Sequence, residues 1–180
     1  MNNTLSPKKL AENGLFHYQA GDYPSALEDF SAAITAFSAC GDSLSAAEMQ
    51  NNLSLVHLKL GNPHAAWEAV ANTDDIFSKA GDLRRQALAL GNQAAVLDAL
   101  GKREQAVDKY QSCADLLKQV GDKENRVAVL QSLSQLQLRM GRQLEAMATM
   151  QIVLDNKPKL SFKERFLDKL LKVPFRFFNR

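Results

Sequence analysis

Cysteine is nearly absent from this chain: Cys40 and Cys113 are the only two in 180 residues. They are too few and too isolated for a disulfide framework or a zinc site, and suit small helical positions as reduced thiols. No apolar run is long enough to span a bilayer. The first residues, MNNTLSPKKLAENG, lack the apolar stretch of a secretory signal, so the expected location is the cytoplasm. A phosphate loop is missing too, since neither Lys nor a second glycine follows Gly91-Asn92 at the needed spacing. His57 and His64 flank a turn with no cysteine or carboxylate set around them. The sequence therefore predicts no catalytic residue, no cofactor and no metal.

Neither sign of charge dominates, the net being +2, but the charge is unevenly spread. Residues 157–180 carry eight Lys and Arg against Glu164 and Asp168, a local net of +6, so the rest of the chain sums to −4. A mildly acidic body argues against nucleic acid as a partner.

Glycine is present on a fixed period. Gly21, Gly41, Gly61, Gly81, Gly101, Gly121 and Gly141 recur every 20 residues, the mark of a repeat array. Between them the apolar residues follow helical spacing; in 43–60, Leu44, Ala47, Leu53, Val56 and Leu60 lie on or near one face. Glycine suits the left-handed turn that ends a helix, and a neighbouring Asp or Asn can cap the next. Pro24 and Pro63 stand at helix starts, where a missing amide costs little. Helices of about 17 residues joined by such short turns must pack as antiparallel hairpins.

The true period is 40. Five residues after alternate glycines come Ala26, Ala66, Ala106 and Ala146; seven residues before them stand Gly14, Ser54, Ala94 and Ser134. Small groups at both places predict close helix approach. Phe30, Val70, Tyr110 and Met150 follow nine residues after those glycines, and Ala33, Thr73, Cys113 and Val153 three further on. His17 and His57 share a slot four residues before a turn glycine and are expected to be core fillers with a polar tip.

With these slots in place, the stretch GLFHYQAGDYPSALEDFSAAI, residues 14–34, resembles the tetratricopeptide repeat family, with its small, aromatic, glycine and alanine positions. The 40-residue period resembles the family's longer variety, found in kinesin light chains, spindle-orientation scaffolds and some bacterial peptide-sensing regulators. Gln50, Asn13, Gln93 and Gln137 depart from its bulky apolar slots. The resemblance implies an all-α right-handed superhelical solenoid of four antiparallel hairpins, at about 7–46, 47–86, 87–126 and 127–160, plus a C-terminal capping helix. It implies a non-enzymatic scaffold binding a protein or peptide segment in its concave groove.

First helices line that groove in the family. Their outward residues here include Glu12, Leu15, Tyr18 and Gln19, then Glu48, Asn51, Asn52, Leu55 and Lys59, then Leu88, Asn92, Ala95 and Asp98, then Gln131, Ser132, Gln135 and Arg139. The partner-binding set expected from them is Asn52, Asn92, Tyr18, Leu55, Lys59, Gln135 and Arg139. Asn52 and Asn92 share the slot nine residues before a turn glycine, which long-repeat members use to hold a peptide backbone; plain solvated surface is the competing reading. Chaperone-binding members instead clamp a terminal carboxylate. Those slots here hold Ala11, Leu15, Asn52, Leu88 and Asn92, and the clamp's basic residues are absent.

The last 20 residues, 161–180, are separate in character. Ser161 and Glu164 form the Ser-x-x-Glu box that starts a helix. Phe162, Phe166, Leu167, Leu170 and Leu171 make an apolar face, with Lys163, Arg165, Lys169 and Lys172 mostly opposite. Pro174 disfavours helix at Val173. The helix reads as a cap over the last hairpin or as a basic amphipathic anchor for a membrane surface. Phe175, Phe177 and Phe178 beyond it suggest docking to a partner or membrane. The alternative functions are accordingly a peripheral membrane-associated assembly factor acting through this tail, and a self-associating structural module.

Overall fold

The computed structural model describes residues 5–157 together with 161, 163–165, 167, 168 and 171. Among them lie nine helices and no strand: α1 Pro7–Ala20, α2 Tyr23–Ala39, α3 Ser43–Lys59, α4 Pro63–Val70, α5 Thr73–Lys79, α6 Leu83–Ala99, α7 Arg103–Gln119, α8 Lys123–Arg139 and α9 Gln143–Asn156. The described residues 163–165, 167, 168 and 171 are helical as well. Helices consecutive in the chain pack on one another except α4 and α5, which pack against α3 and α6, and α3 also touches α6 directly. The chain is thus a linear stack of helix pairs, each pair held by its neighbours.

The seven periodic glycines end these helices. All have φ between 71° and 79°, a region where any side chain would be strained. The amide after each glycine donates to the carbonyl five residues back, as in Asp22 to His17 and Asp82 to Phe77, at 2.9 and 3.0 Å. The following helix is capped where that next residue is aspartate. Asp22, Asp42, Asp82 and Asp122 accept from the backbone N–H of Ser25, Ser45, Arg85 and Asn125. Asn62, Lys102 and Arg142 make no such bond, so capping by side chains belongs to aspartate alone at these turns.

These hydrogen bonds hold all four carboxyls below the usual range: for Asp22 and Asp122 the largest cause is the side chain of Ser25 or Asn125, for Asp42 and Asp82 the backbone N–H of Ser45 or Arg85. A depressed folded value adds stability that is complete above the unfolded value and is lost as pH falls through the folded one. The melting temperature should therefore be flat above about pH 5 and decline below about pH 4. Calorimetry on Asp42→Asn/Asp122→Asn should show a shallower decline; an unchanged slope would remove the caps from the acid transition.

The small-residue slots are core. Ala26, Ala66 and Ala106 are fully buried and Ala146 is 1 % exposed. A Cβ added at Gly14 would lie 2.7 Å from the Phe30 ring, so only glycine lets α1 and α2 meet there. First helices begin at Ser43, Leu83 and Lys123, so the copy limits near 47, 87 and 127 fall one turn inside them.

The second hairpin differs from the regular helix expected after Pro63, for it breaks at Ala71 and Asn72 between α4 and α5. Buried polar side chains hold the break. Thr73 Oγ1 donates to Asn51 Oδ1 at 2.8 Å and to Val70 O at 2.9 Å. Gln93 Nε2, fully buried, donates to Val70 O, Ala71 O and Asp74 Oδ1 at 3.0, 3.2 and 2.6 Å. Gln93 thus serves the carbonyls that the broken helix leaves open. In the fourth hairpin Thr149 Oγ1 donates to Gln137 Oε1 at 2.8 Å. Two of the polar departures from the apolar slots, Gln93 and Gln137, are therefore hydrogen-bonded inside the core.

Candidate functional site

Consecutive first helices α3, α6 and α8 carry two adjoining cavities. The first, about 340 Å³, is lined by Glu48, Asn51, Asn52 and Leu55 of α3, Phe77 of α5, and Arg84, Arg85, Leu88 and Asn92 of α6. The second, about 210 Å³, runs from Leu88, Gly91, Asn92 and Ala95 to Asn125, Ala128, Val129 and Ser132 of α8, with Tyr110 and Cys113 of α7 also on its wall. Leu88 and Asn92 belong to both, so the depression is continuous over three repeats. Gly91 deepens its floor, since a Cβ there would come within 3.3 Å of Cys113 Sγ.

Asn52, Leu55 and Asn92 of the expected set meet at the first cavity, and both asparagines are half-buried. Tyr18 lies elsewhere, partly buried in the first hairpin with its ring 5.9 Å from that of Tyr23. Lys59, Gln135 and Arg139 are exposed and are not among the residues lining either cavity. Arg139 is tied to Asp98, an ion pair between α8 and α6. Asn51, expected to face outward, is instead 6 % exposed and spends its side-chain oxygen on Thr73. Phe175, Phe177 and Phe178 lie outside the described residues.

The expected set leaves out Arg84 and Arg85 of the first cavity. Arg85 stands 5.2 Å above the Phe77 ring, 2.6 Å from Asp82 and 3.5 Å from Glu48, while Arg84 bonds Asp122 at 2.9 Å. A signal for them exists in the sequence: an Arg-Arg pair opens α6 where the equivalent first turns carry Leu44-Ser45 and Glu124-Asn125. Each guanidinium is matched by carboxylate, so the cavity offers donors and acceptors with little net charge. His17 also departs from the core-filler expectation: its Nδ1 lies 2.7 Å from Asp29 Oδ2, joining α1 to α2 at a part-exposed position.

Burial pushes the Cys113 thiol and the Tyr110 hydroxyl up to about 12, so neither is ionised at neutral pH. Among the described residues no three His, Cys, Asp or Glu side chains group as a metal site would need. The arrangement is suited to hydrogen bonding a chain laid across the helices: each carboxamide offers both a donor and an acceptor.

A family model described as soluble NSF attachment protein, SNAP, matches residues 20–173. The chain belongs to this family. Among solved structures, this SNAP-family chain is similar to the nearly identical TPR-like repeats assigned to a kinesin light chain of Podosopora anserina. The TM-score is 0.74 at 15 % identity, over all of both chains. A single-substitution form of that protein gives 0.71 at 18 % identity, over 83 % of this chain and 74 % of the other. BtubC (BKLC) from P. vanneervenii gives 0.73 at 14 % identity, over 91 % and 70 %. A search of curated proteins found no matching sequence. At such identities the likeness is one of fold, a TPR-like helical solenoid. No helix among the described residues is long and apolar enough to cross a membrane.

Proposed function

We propose that this SNAP-family chain is a non-enzymatic adaptor that holds an extended segment of a protein partner across α3, α6 and α8. Asn52 and Asn92 carry the reading, since two carboxamides 40 residues apart in sequence open into one cavity. They would bond peptide groups along the segment, while Leu55 and Leu88 contact its side chains. The family's own description, an attachment protein, agrees with an adaptor role. The four repeats of 7–160 form the binding body in this reading, with 161–180 as cap and tail. It acts in the cytoplasm without a cofactor.

Asn52→Ala and Asn92→Ala should leave the melting temperature almost unchanged, because both side chains are half-exposed. Each should weaken partner binding by about 0.5–1.5 kcal/mol, more where a buried peptide group loses its only bond. A pull-down from native extract with mass spectrometry supplies the partner, and calorimetry the affinities. Equal affinity for the double variant would return both asparagines to solvated surface.

A further inference from the structure

The two cavities of the depression differ in charge. The first holds Glu48, Arg84 and Arg85. None of the described residues lining the second is Asp, Glu, Lys, Arg or His, and Tyr110 and Cys113 on its wall are neutral at pH 7. Two of its polar groups are already engaged. Asn125 Nδ2 donates to Asp122 Oδ2 at 2.8 Å, and Ser132 Oγ to Ala128 O at 3.3 Å. Leu88, Gly91, Ala95, Ala128 and Val129 supply the apolar wall.

Gly91 is the exception at its slot, which holds Ala11 in α1, Asn51 in α3 and Gln131 in α8. It is not among the glycines with positive φ, so the backbone does not require it, and a glycine inside a helix weakens that helix. What it provides is depth. The Cβ of any other residue would stand 3.3 Å from Cys113 Sγ and 3.9 Å from Val129 Cγ2, both of which belong to residues lining the cavity.

We propose that the second cavity is the anchor pocket of the depression, taking one large apolar side chain of the extended segment beside the peptide group bonded by Asn92. The inference rests on the adaptor reading and adds what the segment must carry. The cavity, about 210 Å³, has the room, since an apolar cavity of about 150 Å³ takes up benzene. A charged side chain there would lose its water and find no counter-charge among the lining residues. Leu88 and Asn92 line both cavities, so anchor and bonded peptide group are neighbours along one chain.

The test pans displayed random dodecapeptides against the full chain and measures the selected peptides by fluorescence anisotropy. They should share one position held by Leu, Met, Phe or Trp. Serine at that position should weaken binding about ten- to hundredfold. Gly91→Met and Ala95→Phe fill the cavity from positions one helix turn apart. Each should weaken the parent peptide by a similar factor and leave the serine-substituted peptide no weaker than before. Ala95 is only half-buried, so Ala95→Phe keeps the test decisive should Gly91→Met unfold α6. Full affinity of the parent peptide for Ala95→Phe overturns the anchor. Peptides that need Asn52 and Asn92 yet tolerate serine at every position overturn it too, and leave the adaptor standing. Selection of no peptide overturns the adaptor reading and the anchor with it.

Discussion

Ala66→Leu and Ala106→Leu should each lower stability by roughly 1–3 kcal/mol, because added methylenes have nowhere to go at a close helix contact. Both alanines are fully buried. Ala66 packs in one cluster with Val70 and Val96, and Ala106 with Ala94 and Tyr110. The other small-residue slot of the hairpin is tight in the first copy, where a Cβ on Gly14 would strike Phe30. A leucine could be relieved only by moving one helix off the next, and the neighbouring pair would have to follow. The two alanines fall in different clusters of buried residues, so the double variant should lose about the sum. Urea denaturation checks this through the midpoint at constant slope. Variants within error of the parent would take both alanines out of the helix interface and with them the register of the repeats.

How much of this architecture the sequence discloses depends on the range of the interaction. The turns are legible because a left-handed backbone needs glycine locally, so Gly21 and its six counterparts mark the seven turns that fall every 20 residues. The buried slots are legible because the 40-residue period aligns four independent copies. The break between α4 and α5 is not, since Ala71-Asn72 contains neither glycine nor proline and the geometry is held from α3 and α6 by Asn51 and Gln93. That long-range bond also explains Asn51, whose position on the first helix is shared with outward neighbours while its side chain turns inward. At the candidate site, the common slot of Asn52 and Asn92 follows from the period, and their common cavity from the stacking of α3 beside α6. The pairing of Arg84 with Asp122 and of Arg139 with Asp98 joins residues 38 and 41 apart. Those separations appear only once neighbouring repeats are laid side by side.

Deleting residues 161–180 should cost several kcal/mol if the described helical residues there serve as a cap. The capping box is formed: Ser161 N donates to Glu164 Oε2 at 2.8 Å and Glu164 N to Ser161 Oγ at 3.3 Å. Lys157, through its hydrogen bond, is the largest cause pulling the Glu164 carboxyl down to about 2. The surface at stake lies on α9. Leu130, Leu133 and Val153 sit in the core with Tyr110 and Leu136. By register, Met147, Met150 and Leu154 are the counterparts of Val107, Tyr110 and Ala114, residues that share a core with Leu130 and Leu133 of the next first helix. A few hundred Å² of lost apolar cover at about 25 cal/mol per Å² gives the several kcal/mol expected. The truncated chain should melt earlier and tend to aggregate, both measurable by scanning fluorescence with light scattering. An unchanged melting temperature would mean that 161–171 anchors the chain elsewhere and leaves α9 stable without it. Removing only 174–180 should spare stability, since a proline at 174 disfavours helical geometry at the residue before it. Unfolding by that short deletion would place Phe175, Phe177 and Phe178 in the core instead of in a docking tail.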